Sequence, residues 1–392
     1  VTDASAKERT ADQRPLVVKA TRVVEQLRRA GHVALFAGGC VRDMLRGQVP
    51  KDYDIATSAT PDEVVALFRH TIAIGKQFGV VQVRYGGEGF EVATFRSDGG
   101  YTDGRRPDSV TFSTPEEDVQ RRDFTINGLL YDPIEETVHD FVDGQADLSA
   151  RVIRAIGDAH ARFREDKLRM LRAVRFSAVL GFEIHASTLA AIQDHAQDIR
   201  SVSAERVRVE LLRMLGEGDA AAGVDLLDRT GLLAALFAPH HAQMQPSEAL
   251  LAAISALGKG KPVLALAVWT HRLEPAQCEA IAQAIRLSNE ERALLVGVST
   301  GLRSMPATVE EDLAATKRFL REPAGPPTVE VAAALHHAGL LSVPQHAALR
   351  EALTRWPAEA FWPPRWVSGQ ELKQWGAAPG PHFARILRAV ED

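Results

Sequence analysis

The sequence predicts an α+β chain whose first third mixes strands with helices and whose remainder is all helix. Three observations carry that prediction. "HVALFAGG" (32–39) is a short apolar run that stops on two glycines. "VVQVRYGGEGFEVATFR" (80–96) places two β-rich runs around a Gly-Gly-Glu-Gly turn. From residue 158 onward nearly everything reads as helices joined by short turns.

Taken in order, residues 16–30 carry apolar residues at helical spacing and end at Gly31, a normal helix stop. "HVALFAGG" is the first strand, and "VRDMLRG" (41–47) a turn or two of helix. A Gly-Gln-Val-Pro bend leads into an acidic strand, "KDYDIAT" (51–57). Thr60-Pro61-Asp62 opens the next helix, with proline in its first turn. The hairpin follows, then a charged, glycine-rich loop, "SDGGYTDGRRPDS" (97–109), and a short strand, "VTFS" (110–113). Beyond about residue 125 strands are expected to fade. Weak breaks fall at 238–248 and 321–327.

With 392 residues, 45% of them hydrophobic, the chain can bury sizeable cores and is expected to form two to four units. A net charge of -5 excludes a globally basic surface, so any nucleic-acid contact needs a local patch. Residues 151–175 supply one, with eight Arg/Lys against three Asp/Glu. Cys40 and Cys278 are the only cysteines and have no CxxC spacing, which argues against a disulfide framework or a zinc site. The polar first thirty residues and the lack of a long apolar run lead us to expect no leader, no membrane association and a cytoplasmic setting. No obligate protein partner is evident.

The acidic strand raises the chemical question. Asp52 and Asp54 share a face if this piece is extended, because side chains two apart point the same way. Such a pair is a common way to hold Mg2+, a hard cation that prefers oxygen ligands and keeps several waters. Its plain alternative is a solvated edge strand. Upstream, "GGCVRD" (38–43) joins a strand to a helix start. Gly38 and Gly39 would let backbone N–H groups approach a phosphate, and Arg42 offers a two-pronged grip. Cradle and acid pair together describe a site for a nucleoside triphosphate.

The whole stretch "GGCVRDMLRGQVPKDYDIATSATPDEV" resembles the head-domain signature of the class II tRNA nucleotidyltransferases and the related bacterial poly(A) polymerases. That resemblance implies a polymerase-β-like nucleotidyltransferase head, a mixed β-sheet with helices, followed by an all-α neck, body and tail. It implies Mg2+ on Asp52 and Asp54. Glu91 alternates with Phe90 and Val92 across the pleat, and the resemblance makes it the third acid. In "RRDFTINGLLYDP" (121–133), Arg121 and Arg122 could hold triphosphate oxygens, and the resemblance assigns that contact to Arg122. Asp123 could fix an arginine or cap a helix. The implied division is 1–150 head, 151–215 neck with base recognition, 216–325 body, and 326–392 tail binding tRNA.

"REDKLRMLRAVRFSAVLGF" (164–182) sets Asp166, Arg169, Arg172 and Arg175 three residues apart, a stripe that winds by about 60° per step. Leu168, Leu171 and Val174 would anchor the helix. The plain reading is an exposed helix with an Asp–Arg pair. "EDKLRMLRAVRF" also resembles the family's EDxxR motif, for which the chemistry gives a reason. Cytosine and adenine both pair an amino donor with a ring-nitrogen acceptor. A carboxylate can accept from the first while an arginine donates to the second. Uracil and guanine present the reverse polarity and would leave Asp166 and Arg169 badly paired. Arg172 and Arg175 would, by the same resemblance, support the base or the phosphates.

The resemblance implies a template-independent enzyme that adds C, C and A to the tRNA 3′ end from CTP and ATP. Enzymes of the family that add only C tend to lack a loop like 97–109, so its presence disfavours them; A-only addition stays open. A poly(A) polymerase is a second alternative, although "IGKQFGVVQV" and "FARILRAVED" are less basic than that branch's counterparts. An inactive RNA-binding protein would have lost an acid or the Asp/Arg reader. Some relatives carry a His-Asp phosphohydrolase domain, but His271 is followed by Arg272 rather than aspartate, so no such activity is expected.

Overall fold

The computed structural model describes residues 2–75, 79–99, 109–309, 313–357, 361 and 367–391. The chain divides into two compact units, Val1–Ser201 and Val202–Asp392.

The first unit opens with helix α1 (Thr2–Arg29), then β1 (Ala34–Ala37), α2 (Gly39–Leu45), β2 (Asp54–Thr57) and α3 (Pro61–Leu67). Helix α1 starts well before the expected residue 16. Its early part is rich in good helix formers but has no apolar stripe, the signal on which a periodicity argument depends. Its later turns bury Ala20, Val23, Val24 and Leu27 completely. Thr60 begins α3 with a capping box: its hydroxyl accepts from Glu63 N–H while Glu63 reaches back to Thr60 N–H.

Next come β3 (Thr71–Gly75), β4 (Val80–Tyr85) and β5 (Glu88–Thr94). The β4–β5 hairpin turns on Gly86 and Gly87 alone, with φ of 58° and 87°, as a two-residue turn requires. The ribbon β6 (Arg96–Asp98) and β7 (Val110–Phe112) pairs antiparallel outside the main sheet. Its Gly99 N–H donates to Ser109 O at 2.8 Å. The rest of the loop expected at 97–109, including Gly100, Asp103, Gly104, Arg105 and Arg106, lies outside the described residues.

Helix α4 (Pro115–Gln120) leads to β8 (Leu130–Asp132) and β9 (Thr137–His139). These two strands correct the expectation that strands fade after 125. At three residues each they are too short to display alternation. The sheet runs β3-β4-β5-β2-β1-β8-β9. Strands β2 and β5 are parallel; the other neighbours are antiparallel. Phe36, Ile55, Phe90 and Val92 pack on the α1 side. Leu35, Ala37, Ala56, Phe95 and Val119 form a core on the opposite face.

The unit closes with α5 (Gly144–Ala150), β10 (Val152–Ile153), α6 (Ala159–Glu165), α7 (Leu168–Leu180), β11 (Glu183–Ile184) and α8 (Ala186–His195). Leu168, Leu171 and Val174 anchor α7 in the core, as their spacing predicts. The second unit is helical among its described residues. At its centre Val263–Trp269 is buried along its whole length, as befits a helix apolar on every side. Trp269 donates to Met244 O at 2.8 Å. No helix among the described residues is long and apolar enough to cross a membrane.

Candidate active site

The sheet register assembles the site. Ala37 on β1 pairs with Asp54, and Ile55 on the same strand pairs with Val92 of β5. Asp54 therefore lies between the end of β1, where Gly38 follows, and Glu91, one residue before Val92. Hydrogen-bonded strand begins only at Asp54, yet Asp52 and Asp54 are both exposed while Tyr53 and Ile55 are buried. The alternation thus extends back to Asp52 and puts all three acids on one face. Although Asp54 as a whole is exposed, its carboxyl is desolvated against the sheet; that, then the charges of Asp52 and Glu91, pushes it up to about 6 while Arg122 pulls it down. Behind it, burial and the Asp54 charge push the Cys40 thiol up to about 12, so this cysteine stays protonated.

Gly38 precedes α2 with φ 73° and ψ −127°, a conformation that only glycine adopts readily. A Cβ there would stand 3.3 Å from Arg122 Nη1, so the glycine also makes room for that guanidinium. Gly39 is the first residue of α2, whose opening N–H groups have no partners within the helix. Arg42, which the sequence offers as a two-pronged grip for a phosphate, is itself held by neighbouring side chains. It is 8% exposed, donates from Nη1 to Asn127 Oδ1 at 2.7 Å and from Nε to Asp43 at 2.9 Å. Its guanidinium also lies 5.4 Å from the Phe176 ring centroid.

Arg122 donates from Nε and Nη2 to Asp118 Oδ2 at 3.2 and 2.8 Å. Asp123 fixes an arginine rather than capping a helix. Its Oδ2 accepts from Arg172 Nε and Nη2 at 3.0 and 2.7 Å, and its Oδ1 from Asn127 Nδ2 at 3.1 Å. Burial alone would raise this carboxyl, but the Arg172 pair outweighs it and holds Asp123 at about 2.

The EDxxR segment meets the same backbone. Asp166 Oδ1 accepts from Leu168 N at 3.1 Å, at the start of α7. Arg169 donates to Glu165 Oε2 at 2.8 Å, to Arg162 O at 3.2 Å and to Arg121 O at 2.8 Å. Those bonds engage three of the five N–H groups of a guanidinium and fix its plane. Arg175 is buried, its guanidinium 4.0 Å from the Phe176 centroid. The cradle, the acids and the arginines thus belong to one unit. His271 belongs to the second unit, its Nδ1 held 2.9 Å from Val268 O.

Two residues that sequence reasoning passed over link these parts. Asn127 bridges Arg42 to Asp123. Asp118 holds Arg121 and Arg122, and its place three and four residues before them was a readable signal.

Residues 34–154 match the poly A polymerase head domain, and residues 181–244 match the probable RNA and SrmB-binding site of polymerase A. A curated CCA-adding enzyme of Geobacillus thermodenitrificans is 47% identical over 220 residues, 56% of this chain and 54% of that protein. One from Lactiplantibacillus plantarum is 39% identical over 292 residues, 73% of this chain and 70% of its own length. The chain spans about half the length of the first of these. The crystal structure of Bacillus stearothermophilus CCA-adding enzyme in complex with CTP superimposes with a TM-score of 0.78 at 33% identity, covering 96% of this chain and 92% of that one. The fold is thus of the nucleotidyltransferase type. The chain belongs to the family of the class II CCA-adding enzymes and bacterial poly(A) polymerases.

Proposed function

We propose that this protein is a template-independent tRNA nucleotidyltransferase that adds CCA to the tRNA 3′ end from CTP and ATP. The observation that carries the reading is the register that sets Asp54 between the Gly38 turn and Glu91, with Arg122 close enough to act on its charge. In the reaction the tRNA 3′-hydroxyl attacks the nucleotide α-phosphate and pyrophosphate leaves.

The donor chemistry fits a divalent cation, magnesium in this reading. Burial, then the negative charges of Asp52 and Glu91, raise Asp54 to about 6, and a bound cation offsets the repulsion among the three acids. No cluster of three or more potential ligands that could hold a metal stands ready among the described residues. Asp52 and Asp54 would therefore hold the ion with help from water and triphosphate oxygens. When bound, it supplies charge neutralisation at the attacking and leaving oxygens.

The chain's own groups divide the remaining work. Gly38 and Gly39 let the backbone approach the triphosphate, and Arg122 binds it. Arg42, held by Asn127, positions the start of α2. Glu91 holds the third negative charge beside Asp54. Asp166 accepts from the base amino group and Arg169 donates to the ring nitrogen, with Arg172 and Arg175 supporting them. Fixing the Arg169 plane beforehand strengthens discrimination, because a wrong base then meets donors that cannot turn away. Within this reading residues 1–150 are the head, 151–215 the neck, 216–325 the body and 326–392 the tRNA-binding tail, in a cytoplasmic enzyme.

The test offers full-length protein three tRNAs, ending before CCA, after the first C and after CC, with labelled CTP or ATP. Completion of all three to the same mature length supports the proposal. Extension of the CC-ending tRNA alone makes it an A-adding enzyme, and long untemplated A tails on any RNA make it a poly(A) polymerase. Asp52→Ala and Asp54→Ala should each lower the rate by about a thousand-fold. Unchanged addition in either variant removes the acids from catalysis.

A further inference from the structure

Asp118 is 1% exposed, on α4, at the edge of the site. Both its oxygens are engaged. Oδ2 takes the Nε–Nη2 edge of Arg122 at 3.2 and 2.8 Å. Oδ1 takes the Nε–Nη2 edge of Arg121 at 3.0 and 2.5 Å, and also the Arg96 backbone N–H at 3.3 Å. Arg121 in turn presents its carbonyl to Arg169 Nη2 at 2.8 Å. One buried carboxylate therefore meets the strand that enters the 97–109 loop, the arginine beside Gly38 and, through Arg121, the arginine of the EDxxR segment.

Packing alone does not account for this arrangement. A buried carboxylate is costly unless paired, and an apolar residue of similar volume serves a core at least as well. Here one acid meets two arginines, and its orientation is specific. Asp118 grips one edge of the Arg122 guanidinium, and the Nη1 corner lies 3.3 Å from where a Gly38 Cβ would stand. Charge alone could be supplied by any flexible cation. A side-on, two-bond grip at the back of the guanidinium supplies direction.

We propose that Asp118 is a positioning residue for the nucleotide triphosphate, acting by holding Arg122 with its Nη1 corner turned to the Gly38 cradle. This rests on the assignment of Arg122 to the triphosphate given above. The role belongs to the phosphate end of the nucleotide, so CTP and CMP binding separate it from a general effect on the fold.

The experiment titrates full-length Asp118→Asn with CTP and with CMP by calorimetry, alongside a thermal unfolding scan. The variant should bind CTP about ten- to a hundred-fold more weakly while CMP affinity is unchanged. Wild-type CTP affinity, or an equal loss for CMP, overturns the proposal. If Asp118→Asn does not fold, Arg122→Lys decides. That variant keeps the charge but loses the side-on grip, so it should bind CTP as weakly as Arg122→Ala. An Arg122→Lys protein with wild-type CTP affinity overturns the positioning role. An Arg122→Ala protein with wild-type CTP affinity instead removes Arg122 from the triphosphate, and the positioning role falls with it.

Discussion

At the scale of single residues, Asp54 sets the pH behaviour of the site. Its carboxyl is raised to about 6, while a carboxylate in an unfolded chain titrates near 4. A raised acid is protonated in both states at low pH, and the folded state loses relative stability as pH rises through 6 and the charge appears. Cation binding needs the ionised form, so affinity runs the other way. We expect affinity for Mg2+ to rise about ten-fold per pH unit below 6 and to level off above it, with about one proton released per ion at pH 5. Calorimetry in two buffers of different ionisation enthalpy measures both quantities. A flat profile from pH 5 to 7 would show that Asp54 does not bind the ion. Gly38 belongs to this scale too. Its positive φ and its nearness to Arg122 together explain why the strand stops on glycine at that point.

At the scale of elements, Asp123 and Arg172 tie the segment after α4 to α7. The depressed Asp123 carboxyl contributes stability that is present above pH 4 and lost as pH falls through 2. Asp123→Asn should remove about 2 kcal/mol at pH 7 and flatten the acid limb between pH 4 and 2. Unfolding midpoints across that range check this, and an acid limb identical to the wild type's would mean the pair carries no such linkage. Much of this layer was legible beforehand. The Thr60 cap, the glycine hairpin turn, the shared face of Asp52 and Asp54 and the anchoring face of α7 all follow from local pattern. What escaped depends on partners remote in sequence. The bond by which Asn127 holds Arg42 joins residues 85 positions apart, so no local pattern shows it. Strand β8 acquires its identity from β1, and β9 from β8, rather than from any alternation of their own.

At the scale of the whole molecule, every residue placed in the nucleotide site lies in the unit Val1–Ser201, which has its own cores on both faces of its sheet. A fragment of residues 1–201 should therefore fold and bind CTP within about a few-fold of the full chain, while losing most affinity for tRNA. Far-UV circular dichroism and CTP titration test the first part, and filter binding the second. A folded fragment unable to bind CTP would place an essential nucleotide contact in Val202–Asp392.

The parallel pairing of β2 with β5 also has a kinetic consequence. The strands that bring Asp54 and Glu91 together, β2 and β5, are separated in the chain by α3, β3 and β4. The hairpin and the capped helix can form from near neighbours. The pairing that closes the acidic cluster must wait for a long loop to come together, with the entropy cost that this carries. The mutually repelling charges are thus brought together by a long-range step in folding, when the scaffold that restrains them can already be in place.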